Sequence, residues 1–167
     1  MRLYNCVMNP IPAPFESHLA VEESWLDLNG HMNVAFYMTA FDRGSDPFFD
    51  YCGLGWDYTR QGVGSIFSTG CNLDFRRELL AGDALRVTTR LLDHSEKLLH
   101  LHAHLYHAAS GELAAVQEIL FMHVSLVTRR SAPIPEMSFA RLREILAVHR
   151  TLPAAEGLGR TLSIRRG

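Results

Sequence analysis

Trp25-Leu26-Asp27-Leu28-Asn29-Gly30-His31-Met32-Asn33-Val34-Ala35-Phe36-Tyr37 is the stretch on which the fold turns, because the chain changes its period there. Before it the chain reads as an extended run. From Val34 onward, Val34, Tyr37, Met38, Phe41, Phe48, Phe49 and Cys52 fall at three-and-four spacing, the wide apolar face of an amphipathic helix. This is the longest helix the pattern predicts, over 34–52. Asp46-Pro47 interrupts it, since proline removes a backbone donor and clashes one turn back. A kink or a restart is expected, with Asp46 as cap and Pro47 in the first turn, and Gly53 as the stop.

Upstream, Asn9-Pro10-Ile11-Pro12-Ala13-Pro14 is the proline-rich end of a leader over 1–14, and it delivers the chain into a first strand over about 15–25. Downstream, after a loop over 55–62, four strand-like runs follow at about 65–75, 85–94, 97–107 and 113–127. The third alternates: Leu99, Leu101, Ala103 and Leu105 point one way, His100, His102, His104 and Tyr106 the other. Short turn signals at Ala81-Gly82-Asp83, His94-Ser95-Glu96 and Ser110-Gly111-Glu112 suit antiparallel neighbours. A short terminal helix is predicted over 138–149, with a tail after Pro153 that is loose or adds an edge segment. One strand, one long helix and four antiparallel strands make an α+β domain over 15–135. Its sheet of about five strands wraps around the helix, and residues 136–167 pack on it as a helix and tail.

With 167 residues, 47% of them hydrophobic and 20% charged, the chain suits a single globular domain. A domain of this size buries roughly 70% of its unfolded surface and needs no staple. Cys6, Cys52 and Cys71 are odd in number and lack metal or redox spacing, which fits a reducing cytoplasm. The N-terminus meets Asn9 and Pro10 before a signal-length apolar run develops, and no stretch reaches membrane-spanning length. A net charge of −2 supplies no global field for nucleic acid.

In the quoted stretch, Asp27, Asn29 and His31 alternate, so an extended or turning loop can project them into one cleft, and Gly30 allows a ligand close to the backbone. The helix start beside them offers unpaired amides and partial positive charge to an oxygen that becomes negative. That is the outline of an acyl-transfer site. The plainer reading is an Asp or Asn cap worth about 1 kcal/mol and a solvated histidine.

Asp27-Leu28-Asn29-Gly30-His31-Met32-Asn33 resembles the Asp-x-Asn-x-His-x-Asn segment of plant-type acyl-carrier-protein thioesterases. The block from Asp27 to Tyr37 resembles the aspartate-glycine-tyrosine pattern of the 4-hydroxybenzoyl-CoA thioesterase family. Leu73-Asp74-Phe75-Arg76-Arg77-Glu78 is similar to the segment in which the plant-type enzymes place a catalytic glutamate after two arginines, here Glu78. Both families have the hot-dog fold. The likeness is stronger to the bacterial thioesterases associated with carnitine dehydrogenase, which act on betainyl-CoA. It runs through Asn29 to Ala35, Phe41-Asp42, Thr89-Arg90-Leu91-Leu92-Asp93 and Thr128-Arg129-Arg130-Ser131-Ala132-Pro133, within about 25–135. Pro47 and the leader depart from that pattern.

The resemblance implies a homodimer, or a dimer of dimers, that hydrolyses a small acyl-CoA with no cofactor beyond the CoA of its substrate. Asp27 or Glu78 would serve as general base or nucleophile, with His31 and Asn29 orienting water or the thioester oxygen and the amides of Met32, Asn33 and Val34 receiving the oxyanion. Trp25, Trp56, Tyr58 and Phe75 could face a quaternary ammonium, and Arg129 and Arg130 could pair with CoA phosphates. The alternatives are an aromatic or medium-chain acyl group, an inactive acyl-CoA-binding or regulatory protein, and a dehydratase or hydratase. A Gly-x-Ser-x-Gly elbow, a Walker loop, a Rossmann glycine pattern and His-Glu-x-x-His are absent from the sequence. His100, His102 and His104 lack a carboxylate or cysteine nearby in sequence, so no metal is expected.

Overall fold

Alternation sets the centre of the sheet. In the computed structural model, which describes residues 10–159, Leu99, Leu101, Ala103 and Leu105 of β4 (Leu98–His107) are all buried against the helices. On one side β4 pairs with β3 (Ala84–His94), which pairs with β1 (Phe15–Ala20); on the other it pairs with β5 (Leu113–Ser125), which pairs with β2 (Gly64–Phe75). All four pairings are antiparallel, and the order is β1-β3-β4-β5-β2. The α+β expectation holds, with β1 and β2 at the two edges.

The first strand is shorter than its predicted span. It ends at Ala20, and Glu23–Trp25 form a 3₁₀ turn that brings Trp25 into the core while Glu22, Glu23 and Ser24 stay exposed. The long helical pattern becomes α1 (Val34–Gly44) and α2 (Asp46–Cys52), a restart rather than a kink. Pro47 sits in the first turn of α2 as expected, but the cap is Ser45, not Asp46. The Ser45 hydroxyl donates to the Phe41 carbonyl at 2.9 Å and lies 3.4 Å from the Thr89 hydroxyl. Such back-bonding bends a helix. Gly44 permits the bend: a Cβ there would lie 2.5 Å from Val87 Cγ1, so only glycine lets the end of α1 sit down on β3.

The segment expected as a loop over 55–62 contains a short helix, α3 (Trp56–Arg60). After β5, α4 (Glu136–His149) buries Leu142, Ile145 and Leu146 in the same core as Phe48, Cys52 and Leu91. His149 ties α4 to β3 and to the segment before β1: Leu91 N donates to its Nδ1 at 2.9 Å, and its Nε2 donates to the Pro12 carbonyl at 2.9 Å. Its imidazole is therefore neutral, and burial holds its pKa low.

The other face of β4 is not a solvated one. Residues after α4 cross it instead of adding an edge segment. Arg90 donates to the Leu152 carbonyl, Arg76 pairs with Glu156, and Gly159 N donates to Glu118 Oε2 at 2.8 Å. His102 is only 2% exposed beneath this segment. Burial and the neighbouring His104 push its pKa down to about 4. Cys6, the first nine residues of the leader and the tail from 160 onward lie outside the described residues. Among those described, no helix is long and apolar enough to cross a membrane.

Candidate active site

The Asp27 to His31 stretch folds on itself because its two ends pair. Leu26 and Met32 form an antiparallel bridge, and inside it Asp27 N donates to the His31 carbonyl at 3.1 Å and Gly30 N to the Asp27 carbonyl at 3.0 Å. Gly30 has φ 81°, the left-handed conformation that glycine adopts without strain. The Asp27 carboxylate accepts from Asn29 N at 2.8 Å, and His31 Nδ1 lies 4.0 Å from it. Asp27 and His31 are half-buried, while Asn29 and Leu28 are exposed.

Helix α1 starts where the sequence places it. Asn33 is its cap, its side-chain oxygen accepting from Ala35 N at 3.0 Å. Two of the three amides expected to receive an oxyanion are already paired: Met32 N donates to the Leu79 carbonyl at 2.7 Å and Asn33 N to the Trp25 carbonyl at 2.9 Å. The cause is the burial of the Met32 side chain, which is 1% exposed and whose backbone must find partners inside the fold. The amide of Val34, an exposed residue at the first helical position, has no acceptor among the described residues.

The bond from Met32 to Leu79 joins the two motif blocks. It sets Arg77-Glu78-Leu79 against the loop at the start of α1. The Tyr37 hydroxyl on α1 donates to the Arg77 carbonyl at 2.9 Å, and the Tyr37 ring meets Phe75 edge to face at 5.1 Å. Burial, and then the Glu78 charge, raise the pKa of the Tyr37 phenol. Glu78 itself is exposed. Thus the loop that carries Asp27 and His31 and the segment that carries Glu78, distant in sequence, meet at the start of α1.

The remaining expected site residues divide. Trp25 is a core residue: it is 2% exposed, stacks on Phe36 at 5.5 Å and carries the Arg43 guanidinium over its ring at 5.3 Å. It has no face left for a substrate. The Tyr58 hydroxyl donates to His123 Nε2 at 2.7 Å, and His123 Nδ1 donates in turn to the Ala132 carbonyl at 2.9 Å. That phenol is held by a structural network. Trp56 is 57% exposed, with its Nε1 donating to Asp46 at 3.2 Å. Phe75 is exposed beside Tyr37, at the other end of β2 from Trp56. Arg129 and Arg130 lie near the Gly64 end of β2, because Gly64 pairs with Ser125 and both arginines bond to Ser125 through their backbones. The Arg129 guanidinium lies over the Phe67 ring at 5.5 Å. Twelve strand residues, about 35 Å, separate these arginines from Glu78 of the same chain.

Two adjoining cavities open between α1 and the sheet. One of about 160 Å³ is walled by Asp42, Asp46, Phe49, Trp56, Ile66 and Phe121, among others. The second, about 250 Å³, shares Asp42 and Phe121 with the first and continues past Met38, Ser68 and Gln117. The buried Gln117 amide donates to Met38 Sδ at 3.2 Å. The sequence reading missed Asp42, Asp46 and Gln117 as lining residues. The spacing of Val34, Met38 and Asp42 carries the signal, since residues four apart share a helix face.

The chain is similar to known thioesterases. The chain is 35% identical over 157 residues to betainyl-CoA thioesterase of Pseudomonas aeruginosa, covering 94% of this chain and 98% of that one. It is 32% identical over 146 residues to an L-carnitine dehydrogenase/betainyl-CoA thioesterase of Rhizobium meliloti, covering 87% of this chain and 29% of that longer protein. Among solved structures, a Staphylococcus aureus protein in complex with CoA superposes with a TM-score of 0.83 at 27% identity, covering 91% of this chain and 96% of that one. The model of the Thioesterase-like superfamily matches residues 21–145. On that match and these identities, the chain is a member of the Thioesterase-like superfamily.

Proposed function

We propose that the protein hydrolyses a small acyl-CoA, betainyl-CoA in the first instance, to the free acid and CoA, and that it does so as a homodimer without a metal or cofactor. The observation that carries this reading is the Met32 to Leu79 hydrogen bond, which brings the Glu78 segment to the Asp27 loop at the start of α1. Water attacks the thioester carbonyl carbon while Asp27 or Glu78 takes its proton. Negative charge gathers on the carbonyl oxygen, where the Val34 amide and the helix N-terminus meet it. Collapse breaks the carbon–sulfur bond, and the departing CoA thiolate takes a proton back. His31 and Asn29 orient the water and the thioester.

The β2 edge supports the dimer. Phe67 to Asn72 are six consecutive exposed residues on an edge strand paired on one side only, a surface that proteins normally cover. Antiparallel pairing of two copies about the middle of that run sets Phe75 of each copy opposite Gly64 of the other. Arg129 and Arg130 of one copy then approach the Glu78 end of the second, which supports their role on the CoA phosphates. A dimer of dimers is compatible with this edge pairing. We assign the protein to the cytoplasm, where the free thiols of Cys52 and Cys71 stay reduced.

The test is a comparison of specificity constants, by free-thiol release, for betainyl-CoA, benzoyl-CoA and octanoyl-CoA, with the mass of the active species measured by light scattering. A dimer that prefers betainyl-CoA is expected. Binding without thiol release would leave an acyl-CoA-binding protein, and an active monomer would refute the shared site.

A further inference from the structure

We propose that the cavity walled by Trp56, Phe49, Phe121, Asp42 and Asp46 holds the quaternary ammonium of the acyl group, and that the thioester of the same molecule lies at the catalytic loop of the second copy. This rests on the reading of the protein as a dimeric thioesterase for a cationic acyl-CoA.

The cavity is suited to a compact organic cation. Its volume is about 160 Å³, and an apolar cavity of about 150 Å³ accepts a benzene-sized molecule. Its walls are mainly aromatic and aliphatic, with the hydroxyls of Thr59 and Ser65 among them, and the charged groups that line it are the two carboxylates Asp42 and Asp46. A trimethylammonium group donates no hydrogen bonds, so ring faces and uncompensated carboxylates are what can hold it. The Asp42 carboxylate makes no hydrogen bond or ion pair among the described residues, its backbone carbonyl alone accepting from Ser45 N at 3.1 Å. The nearest arginine in sequence, Arg43, lines the adjoining cavity but not this one, and its guanidinium pairs with Glu22 at 2.9 Å and lies over the Trp25 ring. The indole of Trp56 is braced by its bond to Asp46 and still 57% exposed. Asp46 has its pKa raised, first by burial and also by the charges of Asp42 and Asp50, which outweigh the lowering by its bond from Trp56 and by Arg43.

Distance decides which loop serves the cavity. Asp42 lies eight residues along α1 from Val34, about 12 Å. A betainyl group has a single methylene between its carbonyl carbon and its nitrogen, so it cannot reach from this cavity to the Val34 amide of the same chain. Antiparallel pairing of the β2 edges closes the gap. When the run from Phe67 to Asn72 pairs with itself, Asp74 of one copy falls opposite Ser65 of the other, and Leu73 opposite Ile66. Ser65 and Ile66 are wall residues of the cavity. The Glu78 end of one copy therefore comes to the mouth of the cation cavity of the other.

The experiment uses betainyl-CoA and its uncharged isostere 3,3-dimethylbutanoyl-CoA, in which carbon replaces nitrogen. In wild type the ratio of kcat/KM for the two esters favours betainyl-CoA. Asp42→Asn combined with Asp46→Asn keeps the acceptor for Trp56 and is expected to lower that ratio at least tenfold, with a matching loss of competitive inhibition by tetramethylammonium. A wild-type preference that survives the double substitution overturns the cavity assignment while the betainyl reading stands. Equal rates on both esters in wild type refute the betainyl reading itself. Subunit mixing tests the shared site. An Asp27→Asn protein and the Asp42→Asn, Asp46→Asn protein, unfolded together at equal amounts and refolded, should recover about a quarter of wild-type betainyl-CoA turnover, because half the dimers are mixed and each carries one intact site. No recovery above the average of the two parents places cavity and loop in one chain and overturns the proposal.

Discussion

Replacing Asn33 separates two roles that one residue holds at the start of α1. Its side-chain oxygen caps the helix by accepting from Ala35 N at 3.0 Å, and its neighbour Val34 offers the amide assigned to the oxyanion. Asn33→Ala removes the cap at a cost of about 1 kcal/mol, which lowers Tm by about 2–4 °C in a domain of this size. Asn33→Asp keeps the cap and adds a charge that favours the helix N-terminus by about 0.3–1 kcal/mol, so its stability equals or exceeds that of wild type. Catalysis responds in the opposite order. A carboxylate about 4 Å from a developing negative charge opposes it by up to about 4 kcal/mol at an effective dielectric of 20. Asn33 is only half-buried, so water screens about half of this, and kcat falls about tenfold to a hundredfold. Asn33→Ala, which adds no charge, loses only a few-fold. Thermal melts and thiol-release kinetics on the same preparations read the two orders. Wild-type kcat in Asn33→Asp would refute an oxyanion position at this helix start, whatever the melts show.

Three further outcomes follow from the packing. Gly44→Ala forces a Cβ to 2.5 Å from Val87 Cγ1 and should destabilise by about 1–3 kcal/mol in urea denaturation, with partial recovery in the Val87→Ala background; additive effects would contradict the close approach. Tyr37→Phe leaves the Arg77 carbonyl without its 2.9 Å donor and should cost about 1 kcal/mol while lowering kcat several-fold through the loosened Glu78 segment; unchanged kcat would detach Tyr37 from the site. Stability should also fall in acid. His102, with a pKa pushed from 6.5 to about 4, and His149, also lowered, stay neutral when folded and take protons more readily when unfolded. Stability is therefore full above about pH 6.5 and declines as pH falls toward 4, by up to about 3 kcal/mol for His102 alone, and urea midpoints that stay level between pH 7 and 5 would contradict this.

Much of the fold was legible because it follows from local periodicity. The alternation of Leu99, Leu101, Ala103 and Leu105 fixes β4 in the sheet, and the three-and-four spacing from Val34 fixes α1. What the sequence did not show arises from contacts between distant segments. Trp25 looked available to a ligand, but a tertiary stack with Phe36 and Arg43 occupies it. The histidine face of β4 looked solvated or free for an interface, but residues 152–159 cover it. The Met32 and Asn33 amides looked free because helix starts leave donors unpaired, but Leu79 and Trp25 supply carbonyls that spacing cannot reveal. The motif blocks at Asp27 and Glu78 were both visible, whereas the hydrogen bond that joins them belongs to the folded chain alone.

The most direct test of the central claim is thiol release from betainyl-CoA by wild type, Asp27→Asn and Glu78→Gln, each confirmed to be folded and dimeric. Asp27 and Glu78 are not core residues, so neither substitution should unfold the domain. Positioned proton transfer contributes about 10²- to 10⁴-fold, so the variant that loses the general base should retain less than about 1% of wild-type kcat, with its affinity for the thioester largely kept. Near-normal kcat in both variants would contradict hydrolysis at the Asp27 loop and Glu78.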